Sequence, residues 1–209
     1  MIAAFNLFIK YYGNENYFND KISQIITGNT FMNIRSSQNW QTALIRTSGI
    51  ANVSNNNFID CTQQSCFFYG ENSTFSNNTV KKINTATEIQ SPVVLIKSFS
   101  GTNTFTGNTI NAPYSTFIAL EGGSSCNIHG NTVTAKTMYS RNDNNNSNGY
   151  VKASGNVLNC QTITNIGSRA STTTFRTIDI SGNTLIAPIY QHTGATTITN
   201  YIYNNTITP

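Results

Sequence analysis

Apolar and polar positions in this chain recur as one six-residue cycle, Φ-x-[Gly/Asn]-Asn-Thr-Φ in consensus, met eight times. With its Asn as origin, the cycle is centred on Asn29, Asn56, Asn78, Asn108, Asn131, Asn156, Asn183 and Asn205, at intervals of 27, 22, 30, 23, 25, 27 and 22 residues. Three positions earlier stand Ile26, Val53, Phe75, Phe105, Ile128, Ala153, Ile180 and Ile202. Two positions later stand Phe31, Phe58, Val80, Ile110, Val133, Leu158, Leu185 and Ile207, so all sixteen flanking positions are apolar. The column two before the Asn reads Thr27, Ser54, Ser76, Thr106, His129, Ser154, Ser181 and Tyr203, polar enough to face solvent. The residue immediately before the Asn is Gly or Asn in every copy, the types that accept a left-handed backbone. Each copy therefore predicts a strand end, a sharp bend and the start of a second strand.

A repeat of about 25 residues, with variable loops between constant flanks, is the mark of a solenoid. No single turn can bury its own apolar residues, so consecutive turns must stack, with the Asn side chains aligned in a hydrogen-bonded ladder. The prediction is an all-β fold: a right-handed, single-stranded parallel β-helix of about eight coils, roughly 35 Å long at the usual strand spacing. A leucine-rich horseshoe is excluded, because only six Leu are present and the LxxLxL pattern is absent. Apolar stretches at 43–46, 66–69, 93–97 and 117–121 predict a second strand per coil, with more polar counterparts near 138–139, 163–166 and 189–190. Residues 1–21 break the repeat and are expected to cap the first coil, leaving 22–209 as the solenoid domain. No cap is apparent after Thr208, so the last coil is expected to be covered by another subunit, by further chain or by a partner.

Composition agrees with this picture. Asn occurs 32 times, and only 10% of residues are charged. Asn prefers turns, and the Thr, Ile, Val and Phe around it suit strands. No apolar run approaches the ~18 residues of a membrane-spanning helix. The net charge of +4 is scattered, with Lys81-Lys82 the only basic doublet, which argues against nucleic acid as a partner. Cys61, Cys66, Cys126 and Cys160 lack the paired spacing of a zinc site; no metal or cofactor is expected, and disulfides are not required. The N-terminus has neither the basic segment nor the cleavage site of a signal peptide.

The repeated bend, as at residues 105–110 and 180–185, resembles the IxGNTI-like element of the pectate-lyase-like right-handed β-helix superfamily. The resemblance covers about residues 22–209. It implies the fold, and a functional range running from lyases, hydrolases and epimerases to adhesins and phage tailspikes. The hydrolases' Asp-Asp and Asn-Thr-Asp elements have no counterpart here, nor does the calcium-binding acid cluster of the lyases. The superfamily's catalytic residues therefore do not carry over.

Two outward constellations remain. Arg46, Lys97 and Glu121 close the second strand of their coils, with Glu71 near the same place, so Glu71, Lys97 and Glu121 are the candidate catalytic residues. A carboxylate pair there suits glycoside hydrolysis, and a Lys base suits β-elimination. An alternating-charge ladder without any ligand gives the same pattern. The aromatics Trp40, Tyr69, Tyr114, Tyr139 and Tyr190 form the other set. Trp40, Arg46, Tyr69 and Tyr139 are the expected sugar-binding residues. His129 reads as an exposed member of the outward Ser/Thr column, and His192 has no acidic neighbour in sequence to orient it as a base. The expectation is recognition of a surface polysaccharide by a tailspike-like or adhesin-like β-helix, within a trimer or a larger protein, on a virion tail or a cell surface. A polysaccharide lyase or glycosidase, and a structural spacer, are the rivals.

Overall fold

The computed structural model describes residues 23–34, 43–47, 49–62, 64–82, 91–98, 100–121, 124–141, 149–166, 177–186, 190–194 and 199–208. The expected capping segment, 1–21, lies outside them. All regular structure among the described residues is β, and the strand pairings are parallel. No helix among them is long and apolar enough to cross a membrane.

The first sheet has eight strands in chain order, from Gln24–Thr27 through Ala51–Ser54, Thr74–Ser76, Thr102–Thr106, Ser125–His129, Val151–Ser154 and Thr177–Ser181 to Thr199–Tyr203. The second begins one bend later in each coil, from Thr30–Met32 to Thr206–Thr208. Its strands Thr109–Leu120, Thr132–Arg141 and Val157–Ile166 are long enough to turn a corner into a third face. There they continue a stack that includes Ala43–Thr47, Gln64–Phe68, Val94–Ile96 and Tyr190–Gly194. The second strand expected in each coil is this third face.

Register follows the repeat. Ile26, Val53, Phe75, Phe105, Ile128, Ala153, Ile180 and Ile202 are successive Cα partners. So are Phe31, Phe58, Val80, Ile110, Val133, Leu158, Leu185 and Ile207. Phe31, Phe58, Phe75, Phe105 and Phe117 link ring to ring at 5.0, 6.1, 6.4 and 5.9 Å. The eight expected coils reduce to about five fully buried turns. The first column is buried from Val53 to Ile180, six rungs separated by five circuits, whereas Ile26 and Ile202 are half-buried and Ile207 is 64% exposed. A solenoid rung loses its surface only when another rung lies on each side of it.

The bend is held by the Asn column. At all seven junctions the backbone N–H of one Asn donates to Oδ1 of the next, as from Asn29 to Asn56 at 2.9 Å and from Asn108 to Asn131 at 3.0 Å. Its Nδ2 donates to the same oxygen. Nδ2 of the later Asn also reaches back to the carbonyl of the apolar residue one rung earlier, as from Asn131 to Phe105 at 3.0 Å. The residue before each Asn has positive φ, from 53° at Asn77 and Asn204 to 70° at Gly28, which turns the Asn side chain inward.

Asn131→Asp tests this ladder. It keeps an acceptor for Asn108 but loses the donors to Phe105 and Asn156. The buried carboxylate is expected to destabilise the protein by about 2–4 kcal/mol at pH 7. Burial raises its folded pKa above the unfolded value of about 3.9, so the folded state binds the extra proton and stability recovers as pH falls. Urea unfolding at pH 7 and pH 4.5 reads this out against wild type. An equal deficit at both values would mean that Nδ2 donation is not what the ladder requires.

Candidate functional site

The third face positions the candidate residues by strand alternation. Ile45, Cys66, Val94, Ile118, Tyr139 and Thr164 are in register and buried, so they form the inward column. Arg46, Phe67, Leu95 and Ala119 stand in the adjoining outward column. One step further out, the N–H groups of Tyr69, Lys97 and Glu121 donate to the carbonyls of Thr47, Phe68 and Ile96, which aligns these residues on successive rungs.

A preformed platform results. The Arg46 guanidinium lies 5.0 Å from the Phe67 ring centre and 4.7 Å from that of Tyr69, and it donates to the Tyr69 hydroxyl. The two rings stack on each other at 4.2 Å. Cation–π attraction and the hydrogen bond fix a side chain that would otherwise sample many rotamers. Phe67 is 2% exposed although it points outward, so it is the base of the platform. Lys97 and Glu121 continue the strip, both partly exposed. The strip thus presents an aromatic edge flanked by alternating charges.

Tyr139 corrects the expectation of an outward aromatic. It is 1% exposed, packs in the core and is in register with Ile118 and Thr164. The strand turns its corner just before it, where Thr137, Met138 and Tyr139 are consecutively buried, so simple alternation fails there. Glu71 also leaves the expected line: it lies two residues beyond Tyr69 and accepts a hydrogen bond from the Ser100 hydroxyl. It does not stand on the rung column of Lys97 and Glu121. Trp40 lies outside the described residues.

Lys82 was not anticipated. It follows Asn78 by four, the position that Ala112, Ala135 and Cys160 fill in the later coils, and that inward alignment was the available signal. It is 5% exposed. Its ammonium donates to the Ser91 carbonyl and hydroxyl, each at 2.8 Å, while that hydroxyl donates to the Thr62 carbonyl at 2.8 Å. Since the serine proton is held by Thr62, this pair is a structural tie and not an activated nucleophile. Burial lowers the Lys82 pKa to about 7, with nearby Cys61 acting weakly the other way. The four cysteines are buried and not joined in disulfides; burial pushes the Cys160 thiol up to about 12 and that of Cys66 well above the usual range, so these two behave as small apolar residues. Among the described residues no three His, Cys, Asp or Glu side chains converge to hold a metal ion.

No protein-family profile, curated protein or solved structure matches this chain.

Lys82 makes a pH prediction. Its folded pKa of about 7 lies below the ordinary lysine value, so between the two the unfolded chain binds more protons. Stability therefore rises as pH rises from 7 towards 10 and sits on its lower plateau below 7. Between pH 6.5 and 9.5 wild type is expected to gain about 3 kcal/mol more than Lys82→Met in urea unfolding, from the linkage between protonation and folding. Parallel pH profiles for the two proteins would contradict a buried, neutralised amine.

Proposed function

We propose that this solenoid recognises a surface carbohydrate along its outer faces, in the manner of a tailspike-like or adhesin-like β-helix. The observation that carries the reading is the Arg46–Phe67–Tyr69 platform, continued by Lys97 and Glu121 on the next two rungs. A preorganised aromatic and cationic strip on a rigid sheet lowers the ordering cost of binding a flexible glycan. Kinship with the pectate-lyase-like β-helices belongs to the same proposal, supported by the repeated bend and its Asn ladder. So do a trimeric or larger assembly and a place on a virion tail or cell surface.

A catalytic form of this reading has one specific support, the adjacency of Lys97 and Glu121. A polysaccharide lyase would use Lys97 as base, and a glycosidase would use Glu121 as acid. The glycosidase version is the weaker, since Glu71 is engaged by Ser100 and is out of line as the second carboxylate.

Arrays of bacterial capsule and lipopolysaccharide fragments test the proposal. Wild type is expected to bind at least one fragment, and Tyr69→Ala or Arg46→Ala to weaken it by about tenfold or more, the range of an aromatic or arginine hot spot. Flat signals for wild type and variants alike would reject recognition and favour a spacer. New reducing ends or unsaturated uronate absorbance that vanish in Glu121→Gln or Lys97→Met would establish the catalytic form.

A further inference from the structure

The outer face of the first sheet holds a second arrangement, separate from the Arg46 strip. Outward positions on one rung are Ser125, Asn127 and His129, and on the next Tyr150, Lys152 and Ser154. Asn127 stands opposite Lys152 and His129 opposite Ser154. Each long side chain faces a short one, which leaves a depression of about 470 Å³ bordered by Asn127, His129, Tyr150, Lys152 and Ser154. Its edges are fixed. The Tyr150 N–H donates to Ser125 Oγ at 3.1 Å, and the Tyr150 carbonyl accepts from the Cys126 N–H at 2.9 Å. His129 Nδ1 lies 3.0 Å from the Ser154 carbonyl and 3.3 Å from its hydroxyl. A carbonyl only accepts, so Nδ1 donates to it, and in the neutral ring Nε2 is the acceptor.

Lys152 supplies the charge. Among the described residues no carboxylate oxygen lies within 4.0 Å of its ammonium. Its in-register neighbour on the following rung, Asp179, turns one carboxylate oxygen to a buried position without a hydrogen-bond partner. An anion therefore meets least repulsion when it approaches Lys152 from the Asn127 side.

This chemistry selects a ligand class. One ammonium is too little for a nucleic-acid backbone, which needs a track of cations. One tyrosine ring is too little apolar surface for a lipid chain. An ammonium, an imidazole acceptor, a carboxamide, a hydroxyl and one ring edge match a single negative charge on a small polyhydroxylated ring. We infer that this depression binds an acidic sugar residue, of the uronic or sialic acid class, with its carboxylate on Lys152 and its C–H face against Tyr150; the assignment rests on the carbohydrate reading above and adds the ligand's charge.

The test is amide-resolved NMR titration of the full chain with galacturonate, glucuronate, mannuronate and sialic acid tetrasaccharides, each beside its carboxyl-reduced neutral counterpart. At least one acidic tetrasaccharide is expected to shift Asn127, His129 and Lys152, and its reduced form to bind about tenfold more weakly, the effect of one charge-assisted contact. Lys152→Met should lose the same factor and Lys152→Arg keep most of it. Equal binding of the reduced form, or unchanged binding by Lys152→Met, overturns the site. Shifts confined to Arg46 and Tyr69 overturn it while leaving the broader carbohydrate reading standing. No shift at either place with any of these sugars counts against both.

Discussion

The amide relay through Asn29 to Asn205 is the constraint on which the rest of this solenoid depends. Each buried Asn receives two donors from one neighbouring rung and returns a donor to the backbone of that rung, so its amide is satisfied only when the two bends lie in register. A single such bond contributes about 1 kcal/mol net, while a buried amide left without partners costs about 1–3 kcal/mol. The penalty for misalignment thus exceeds the reward for pairing. That asymmetry makes the column a device for register more than for raw stability. Because register is reset at every bend, the chain between bends can vary from 22 to 30 residues without disturbing the stack.

Fixed register decides which side chains reach solvent, since a one-residue slip in a strand exchanges its two faces. Val53, Phe75, Phe105, Ile128, Ala153 and Ile180 are buried, while the alternate positions, such as Asn52 and Lys152, are outside. The outer surface becomes a lattice, roughly 4.8 Å between rungs and about 6.6 Å between alternate residues of a strand. Polar substitutions on it leave the core untouched. The Arg46 platform is the partial exception, because Phe67 is buried beneath it and supports the guanidinium.

What could be read from the chain divides along the same line. The bend announces itself within six consecutive residues, so its columns, its left-handed position and its ladder were all legible. The third face has no such local marker. Its strands are reached around a corner whose register shifts between Ala112 and Thr116, and at Thr137–Tyr139 three neighbours in a row are buried. Tyr139 was misplaced for that reason. Lys97 and Glu121 were legible as one column because each directly follows an apolar strand, whereas Arg46 falls one outward column earlier, in register with Phe67. Phe67 was missed because an outward residue buried by other side chains looks, in sequence, like a core residue. Lys82 was missed because the corner positions were not aligned across coils, where a lysine among Ala112, Ala135 and Cys160 stands out.

Lys82 also shows how far the inward columns tolerate polarity. At the bend, the Asn amides are matched by backbone groups at every rung. At the second corner, the following loop supplies the Ser91 carbonyl and hydroxyl to a single ammonium in one coil. The same position in later coils is apolar and needs no such partner. A repeated polar device must be satisfied by its own copies, and only a backbone-matched Asn achieves that over eight rungs. A solitary one needs a local loop, and is correspondingly sensitive to pH. The two proposed outward sites follow the second pattern. Like the Lys82 tie, each lies where one coil departs from the repeat: an arginine clamped by aromatics on one face, a lysine beside a histidine on another.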